Sequence, residues 1–183
     1  MTTDPVPMAA RHFTGVIFPI ERPRVTMPFR ATETKWYSDD APHRGVDVAP
    51  WPGSHGRPVR MPVTGMIEHV GFHEFAGHEI VSSHVLPYEF SAEGLDRKVH
   101  TIRAGERFWL RMTHHHRVEV DEGPITVGQL VAEVGSTGRF TTGPHVHVEL
   151  RKGRTYNLAM VLDPLHFFIA AIPGLRATLQ MPW

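Results

Sequence analysis

The chain has 183 residues, no cysteine, 14 histidines, and 19 acidic against 19 basic residues. That length suits one domain with a core of its own. The missing thiols exclude disulfides and thiolate metal sites, and the balanced charge argues against nucleic acid or an anionic surface as partner.

Sixteen prolines and 16 glycines, with few long helical patterns, predict a turn-rich, mainly β protein. No apolar run approaches the roughly 20 residues of a membrane-spanning helix. Residues 1–24 are proline-rich and irregular, with one apolar patch (Val16, Ile17, Phe18) expected to form an edge strand or a strap. Met1 to Ala10 lacks the basic start and apolar stretch of a secretory signal. Val25 to Phe29 reads as extended and Ala31 to Ala41 as a polar loop.

Pro42-His43-Arg44-Gly45-Val46-Asp47-Val48-Ala49-Pro50 comes next. Its glycine, β-branched valines and flanking prolines argue for a turn entering a strand, with His43 and Asp47 on one face. The pair can supply two metal ligands, or simply share a hydrogen bond. Short strands are expected over Pro58–Val63, Gly65–Val70 and Glu79–Ser83, then a polar loop or hairpin extension over 85–105. From Phe108, alternation places Phe108, Leu110, Met112 and His114 on one face, with Trp109, Arg111, Thr113 and His115 on the other. Val118–Val120 and Gln129–Val134 follow as strands, then a turn at Gly135-Ser136-Thr137-Gly138 and a last apolar segment over Leu162–Ile172.

Gly143-Pro144-His145-Val146-His147-Val148-Glu149-Leu150 is the most informative stretch. Residues two apart on a strand share a face, so His145 and His147 point together while Val146, Val148 and Leu150 face the core. Two imidazoles held side by side suit a metal site with a catalytic neighbour, although paired surface histidines are also common.

Taken together, these stretches resemble the lysostaphin/LytM-type zinc metallopeptidases, which cut peptide bonds in bacterial peptidoglycan. The resemblance rests on His43-x-Gly45-x-Asp47, on His145-x-His147 behind Gly143-Pro144, and on Gly128-Gln129-Leu130-x-Ala132-x-Val134-Gly135-Ser136-Thr137-Gly138. It implies a mainly β single domain of antiparallel sheets, duplicated-hybrid-motif-like, with a Zn2+ site in a groove. Its boundaries are expected at 25–172, after an N-terminal extension packed on the domain (1–24) and before a C-terminal tail (173–183). The resemblance implies His43, Asp47 and His147 as zinc ligands and His145 as a catalytic histidine. His114 fits the second catalytic histidine best, nine residues before Gly123, although Met112 stands where the family has tyrosine and His115 remains an alternative.

The implied function is a zinc-dependent endopeptidase acting on peptidoglycan peptides. The competing reading is a non-hydrolytic module of the same fold that binds the wall or activates another enzyme. Gly128 to Gly138 also resembles biotinyl or lipoyl carrier hairpins, but no lysine lies there to accept the cofactor. A monomer is expected, with no nucleic-acid partner. The chain is expected to reach the wall as a phage-delivered or virion-associated lysin, by release on lysis, or by another export route. Residues 85–107 look like an insertion, expected to form a flap beside the substrate groove.

Overall fold

The computed structural model describes residues 15–32, 41–154 and 157–179. The start of the expected extension (1–14), most of the expected polar loop (33–40) and the end of the expected tail (180–183) lie outside the described residues. The strands in chain order are β1 (Pro23–Met27), β2 (Val46–Pro50), β3 (Pro58–Arg60), β4 (Gly65–His73), β5 (Gly77–Val85), β6 (Phe90–Glu93), β7 (Val99–Ile102), β8 (Arg107–His115), β9 (Arg117–Val118), β10 (Gly123–Ile125), β11 (Leu130–Glu133), β12 (Val146–Arg151) and β13 (Val161–Leu162). Two short helices follow, α1 (Pro164–Ala171) and α2 (Leu175–Thr178).

The main sheet runs β1-β2-β12-β8-β5-β4-β10, with β13 added against β12. Every described pairing is antiparallel. An antiparallel sheet can bury one face and leave the other for water or ligand. Here Val46 and Val48 of β2, Val146, Val148 and Leu150 of β12, and Phe108, Leu110 and Met112 of β8 are all wholly buried on the core side. Burying each such side chain stabilises the fold by roughly 1.5–3 kcal/mol. The opposite face of the same three strands carries Asp47, His147, Glu149, Arg111 and Thr113, and that is where the site lies.

The core is closed from below by the small sheet β3-β11-β9, through Val59, Val131 and Ala132, and by α1. Asp163 caps α1 by accepting from the Leu165 amide at 2.8 Å, and Pro164 occupies the first turn, where a missing N–H costs nothing. This turns the expected apolar segment 162–172 into a helix whose Phe167 and Phe168 are buried. The patch at Val16, Ile17 and Phe18 is a strap: Ile17 N–H bonds the Pro62 carbonyl, Val16 bridges Val63, and Phe18 meets Phe168 at 4.9 Å between ring centres.

Two expectations are corrected. The strand expected at Pro58–Val63 ends at Arg60, while those expected at Gly65–Val70 and Glu79–Ser83 extend into a nine-residue pair, β4 and β5. Residues 85–107 are no flap at the groove. They hold the hairpin β6–β7, which packs on α1, and none of them lines the cavity beside the histidines. Phe90, Ala92 and Ile102 are buried in the core, with the Phe90 ring 4.6 Å from Phe167 and 5.3 Å from Phe108.

Candidate metal centre and active site

Three adjacent strands build the site. Asp47 on β2 lies directly opposite His147 on β12, and His147 lies directly opposite Thr113 on β8. The period-2 rule then brings His145 and Glu149 onto the same face as His147. His43 precedes β2 in a loop tied to the chain at residues 30–31, its N–H bonding the Ala31 carbonyl and its own carbonyl accepting from Arg30. Gly45 lets this loop pass under His147. A Cβ there would stand 2.3 Å from the Val148 oxygen and 2.8 Å from the His147 ring.

His43, Asp47 and His147 come together, all buried, each offering an atom within 4.8 Å of the others. His43 Nε2 is 2.9 Å from His147 Nδ1 and 3.1 Å from Asp47 Oδ1, and His147 Nδ1 is 2.8 Å from the same oxygen. The outer nitrogens are committed elsewhere. His43 Nδ1 lies 2.9 Å from the Pro28 carbonyl, which can only accept, so the proton sits on Nδ1 and Nε2 presents its lone pair. His147 Nε2 lies 3.3 Å from Glu149 Oε1, another acceptor, so Nδ1 faces inward. Two imidazole nitrogens and a carboxylate oxygen facing one another at these distances need a positive charge between them.

A single proton can serve. Burial opposes a charged His147, but its bonds to Asp47 and Glu149 outweigh that and push it up to about 9. Burial likewise opposes the Asp47 carboxylate, and the bond from His147 together with the positive charge held there keeps it well below the usual carboxylate range. A divalent cation fits the same place, because two imidazoles and one carboxylate form the donor set of a catalytic zinc with a position left for substrate or water. The carbonyl and carboxylate behind the two rings are the partners that metal-binding histidines use to fix their tautomer.

His145 and His114 stand at the edge of this cluster. His145 Nδ1 donates to the Gly143 carbonyl at 2.7 Å, and its Nε2 lies on the site side, 3.6 Å from Asp47 Oδ2. His114 Nδ1 donates to the Thr137 carbonyl at 2.8 Å, and its ring lies 4.8 Å from that of His145. Burial, and then the neighbouring His145, push His114 down to about 4, so its ring is neutral at pH 7.

The alternation expected along β8 fails at this residue. His114 adopts a left-handed backbone (φ 66°), and two residue steps on β5 span three on β8 between the pairs His78↔His115 and Ile80↔Met112. The bulge rotates His114 from the core side, where strict alternation puts it, onto the groove side beside Thr113. His115 falls on the inside instead. It is wholly buried, neither ring nitrogen makes a hydrogen bond, and burial pushes it down to about 3.

A groove of about 350 Å³ opens beside the cluster, lined by Arg44, Phe75, Thr113, His114, Phe140 and His147 among others. A sequence model of peptidase family M23 matches residues 41–158, more than half of the chain. The chain belongs to peptidase family M23. No curated protein matches it. Among solved structures, a zinc-containing peptidase from Vibrio cholerae is 24% identical, with a TM-score of 0.54 over 75% of this chain. The match covers 36% of that protein, so this chain spans about a third of its relative. The catalytic domain of the antimicrobial peptidase lysostaphin from Staphylococcus simulans is 20% identical, with a TM-score of 0.57 over 78% of this chain and 89% of its own. The SpoIIQ–SpoIIIAH pore-forming complex contains a chain 17% identical, with a TM-score of 0.59 over 89% of this chain and 96% of its own. These likenesses establish the LytM/lysostaphin-like fold.

Sequence reasoning passed over Glu149 and Arg111. Glu149 is 3% exposed, yet it stays ionised: burial would raise it, but His147, Arg111 and Arg151 hold it far below the usual range. Arg111 Nη1 reaches Glu149 at 3.0 Å and its Nε reaches Glu79 at 2.8 Å. The signal was present, since Glu149 continues the His145, His147 alternation and Arg111 shares the phase of Thr113.

Proposed function

We propose that the chain is a zinc-dependent endopeptidase that hydrolyses peptide bonds in bacterial peptidoglycan. One observation carries this reading: three inward-facing donor atoms, His43 Nε2, Asp47 Oδ1 and His147 Nδ1, lie within 3.1 Å of one another beside two histidines whose Nδ1 atoms are both tied to backbone carbonyls. His43, Asp47 and His147 would hold the zinc. When bound, it supplies Lewis-acid polarisation of the scissile carbonyl and acidifies a water.

The remaining work falls to the protein. His145 Nε2, next to Asp47, accepts a proton from the attacking water and returns it to the leaving amine. His114 supplies a second acceptor. With Nδ1–H committed to Thr137, its neutral ring offers only the Nε2 lone pair, which orients the same water. Glu149 holds His147 with Nδ1 inward. The groove walls, including Phe75 and Phe140, receive the peptide.

The peptidoglycan substrate is inferred from the family and from the likeness to lysostaphin, an antimicrobial peptidase. The second reading, a non-hydrolytic wall-binding or activator module, draws on the likeness to the SpoIIQ–SpoIIIAH complex. It gives no reason for both catalytic-type histidines and all three donors to be in place. Incubating the zinc-loaded chain with purified sacculi separates the two. The peptidase releases new free amino groups into solution, whereas the binding module cosediments with the sacculi and releases none.

A further inference from the structure

The turn Gly135–Gly138 meets the β4–β5 turn in an unusually close contact. A Cβ on Gly77 (φ 70°) would lie 2.2 Å from Thr137 Oγ1, and one on Gly138 (φ 86°) would lie 2.3 Å from the Gly77 nitrogen. Neither position has room for a side chain, and both backbones take the left-handed conformation that glycine adopts freely. Beyond the glycines the two segments remain joined, through Arg139 N–H to the Glu74 carbonyl at 3.1 Å and Phe140 N–H to the Phe75 carbonyl at 3.0 Å.

Thr137 sits at the centre of this contact and uses its hydroxyl in both directions. Oγ1 accepts the His78 amide of β5 at 3.0 Å and donates to the His115 carbonyl of β8 at 2.7 Å. Its backbone carbonyl meets His114 Nδ1 at 2.8 Å, while the His114 amide is held by the Ala76 carbonyl at 2.9 Å. A carbonyl cannot donate, so its position dictates which ring nitrogen of His114 keeps the proton.

We propose that Thr137 is the positioning residue for His114. Its hydroxyl clasps β5 to β8, and the clasp sets the carbonyl that selects the Nδ1–H tautomer and the ring orientation of His114. The proposal rests on the catalytic reading of His114 given above. It adds a residue whose hydrogen bonds go to His78, His114 and His115 rather than to His43, Asp47 or His147, and it accounts for the two glycines.

The test uses zinc-loaded protein carrying Thr137→Val, which keeps the shape and removes the hydroxyl, Thr137→Ala, which removes it without risk of crowding, and Thr137→Ser, which keeps it. Long-range nitrogen–proton correlation spectra on histidine-labelled protein report the His114 tautomer, and steady-state kinetics and zinc content are measured alongside. We expect the Val and Ala variants to lose the single Nδ1–H form. Their kcat should fall about 10- to 100-fold, with KM and zinc content unchanged, and Ser should restore both tautomer and rate. An unchanged His114 spectrum in both Val and Ala overturns the proposal. A changed tautomer with an unchanged kcat keeps the hold of Thr137 on His114 and overturns the catalytic reading of His114 instead.

Discussion

Asp47 and His147, a hundred residues apart in the chain, sit directly opposite one another on β2 and β12, with Oδ1 and Nδ1 at 2.8 Å. The pairing register alone creates this contact. A one-residue slip between β2 and β12 would move His147 to the core face and replace it with a valine. The centre is therefore as rigid as the middle of the sheet, and it forms only when the sheet does.

That rigidity gives the first prediction. Purified protein should carry about one zinc per chain, and Asp47→Ala should carry almost none, because a tetrahedral site loses its only anionic ligand. Elemental analysis of both proteins decides it. Full occupancy in the variant would remove Asp47 from the ligand set.

Glu149 should matter through His147. Glu149→Gln should weaken zinc binding about 10- to 100-fold, as expected for a group that orients a metal-binding histidine. Competition with a chelator at fixed pH measures this. An unaltered zinc affinity would leave the Glu149–His147 contact without consequence for the metal.

The bulge at His114 gives a test of register. His145→Ala and His114→Ala should each lower kcat roughly 10²-fold or more while retaining zinc. His115→Leu should leave kcat unchanged, and its effect on stability should be neutral or favourable, because two buried nitrogens without hydrogen bonds disappear. Loss of activity in His115→Leu with full activity in His114→Ala would show that the bulge is misplaced by one residue.

His84 predicts a pH dependence of stability. It is 1% exposed, hydrogen-bonded to Ser82 at 2.8 Å, and pushed down by burial from 6.5 to about 4. Between those values the unfolded chain binds a proton that the folded chain refuses. This contribution is therefore fully present above pH 6.5 and is lost as the pH falls towards 4, by about 3 kcal/mol in all. Urea midpoints from pH 7.5 to 4.5 should fall more steeply in the wild-type chain than in His84→Gln. Parallel curves would contradict the assignment.

The hairpin β6–β7 should behave as core. Phe90→Ala should cost about 3–5 kcal/mol, and replacing residues 88–101 with a short turn should lower the melting temperature sharply or abolish folding. A fully stable deletion with altered substrate preference would restore the flap reading.

How much of this was legible in the sequence follows from how local each signal is. His145-x-His147 within alternating valines shows its face directly, because period 2 is a property of the strand itself. His43 and Asp47 bracket Gly45, whose missing Cβ is what the close passage under His147 requires, so the motif and its packing reason coincide. His114 against His115 could not be decided from alternation, because the bulge depends on β5, the β4–β5 turn and the Thr137 contact. The hairpin was obscured by its charged residues, although Phe90 and Ala92 two apart carried the strand period. Glu149 was overlooked because its value lies in the ring behind which it sits.

The most direct test of the central claim is mass spectrometry of the fragments released from purified peptidoglycan by the metal-stripped chain, the same chain with zinc restored, and Asp47→Ala with zinc added. Peptide fragments bearing a new amino terminus are expected only in the zinc-restored wild-type digest. Fragments of equal yield from Asp47→Ala, or none from the zinc-restored chain on any wall chemistry tried, would contradict it.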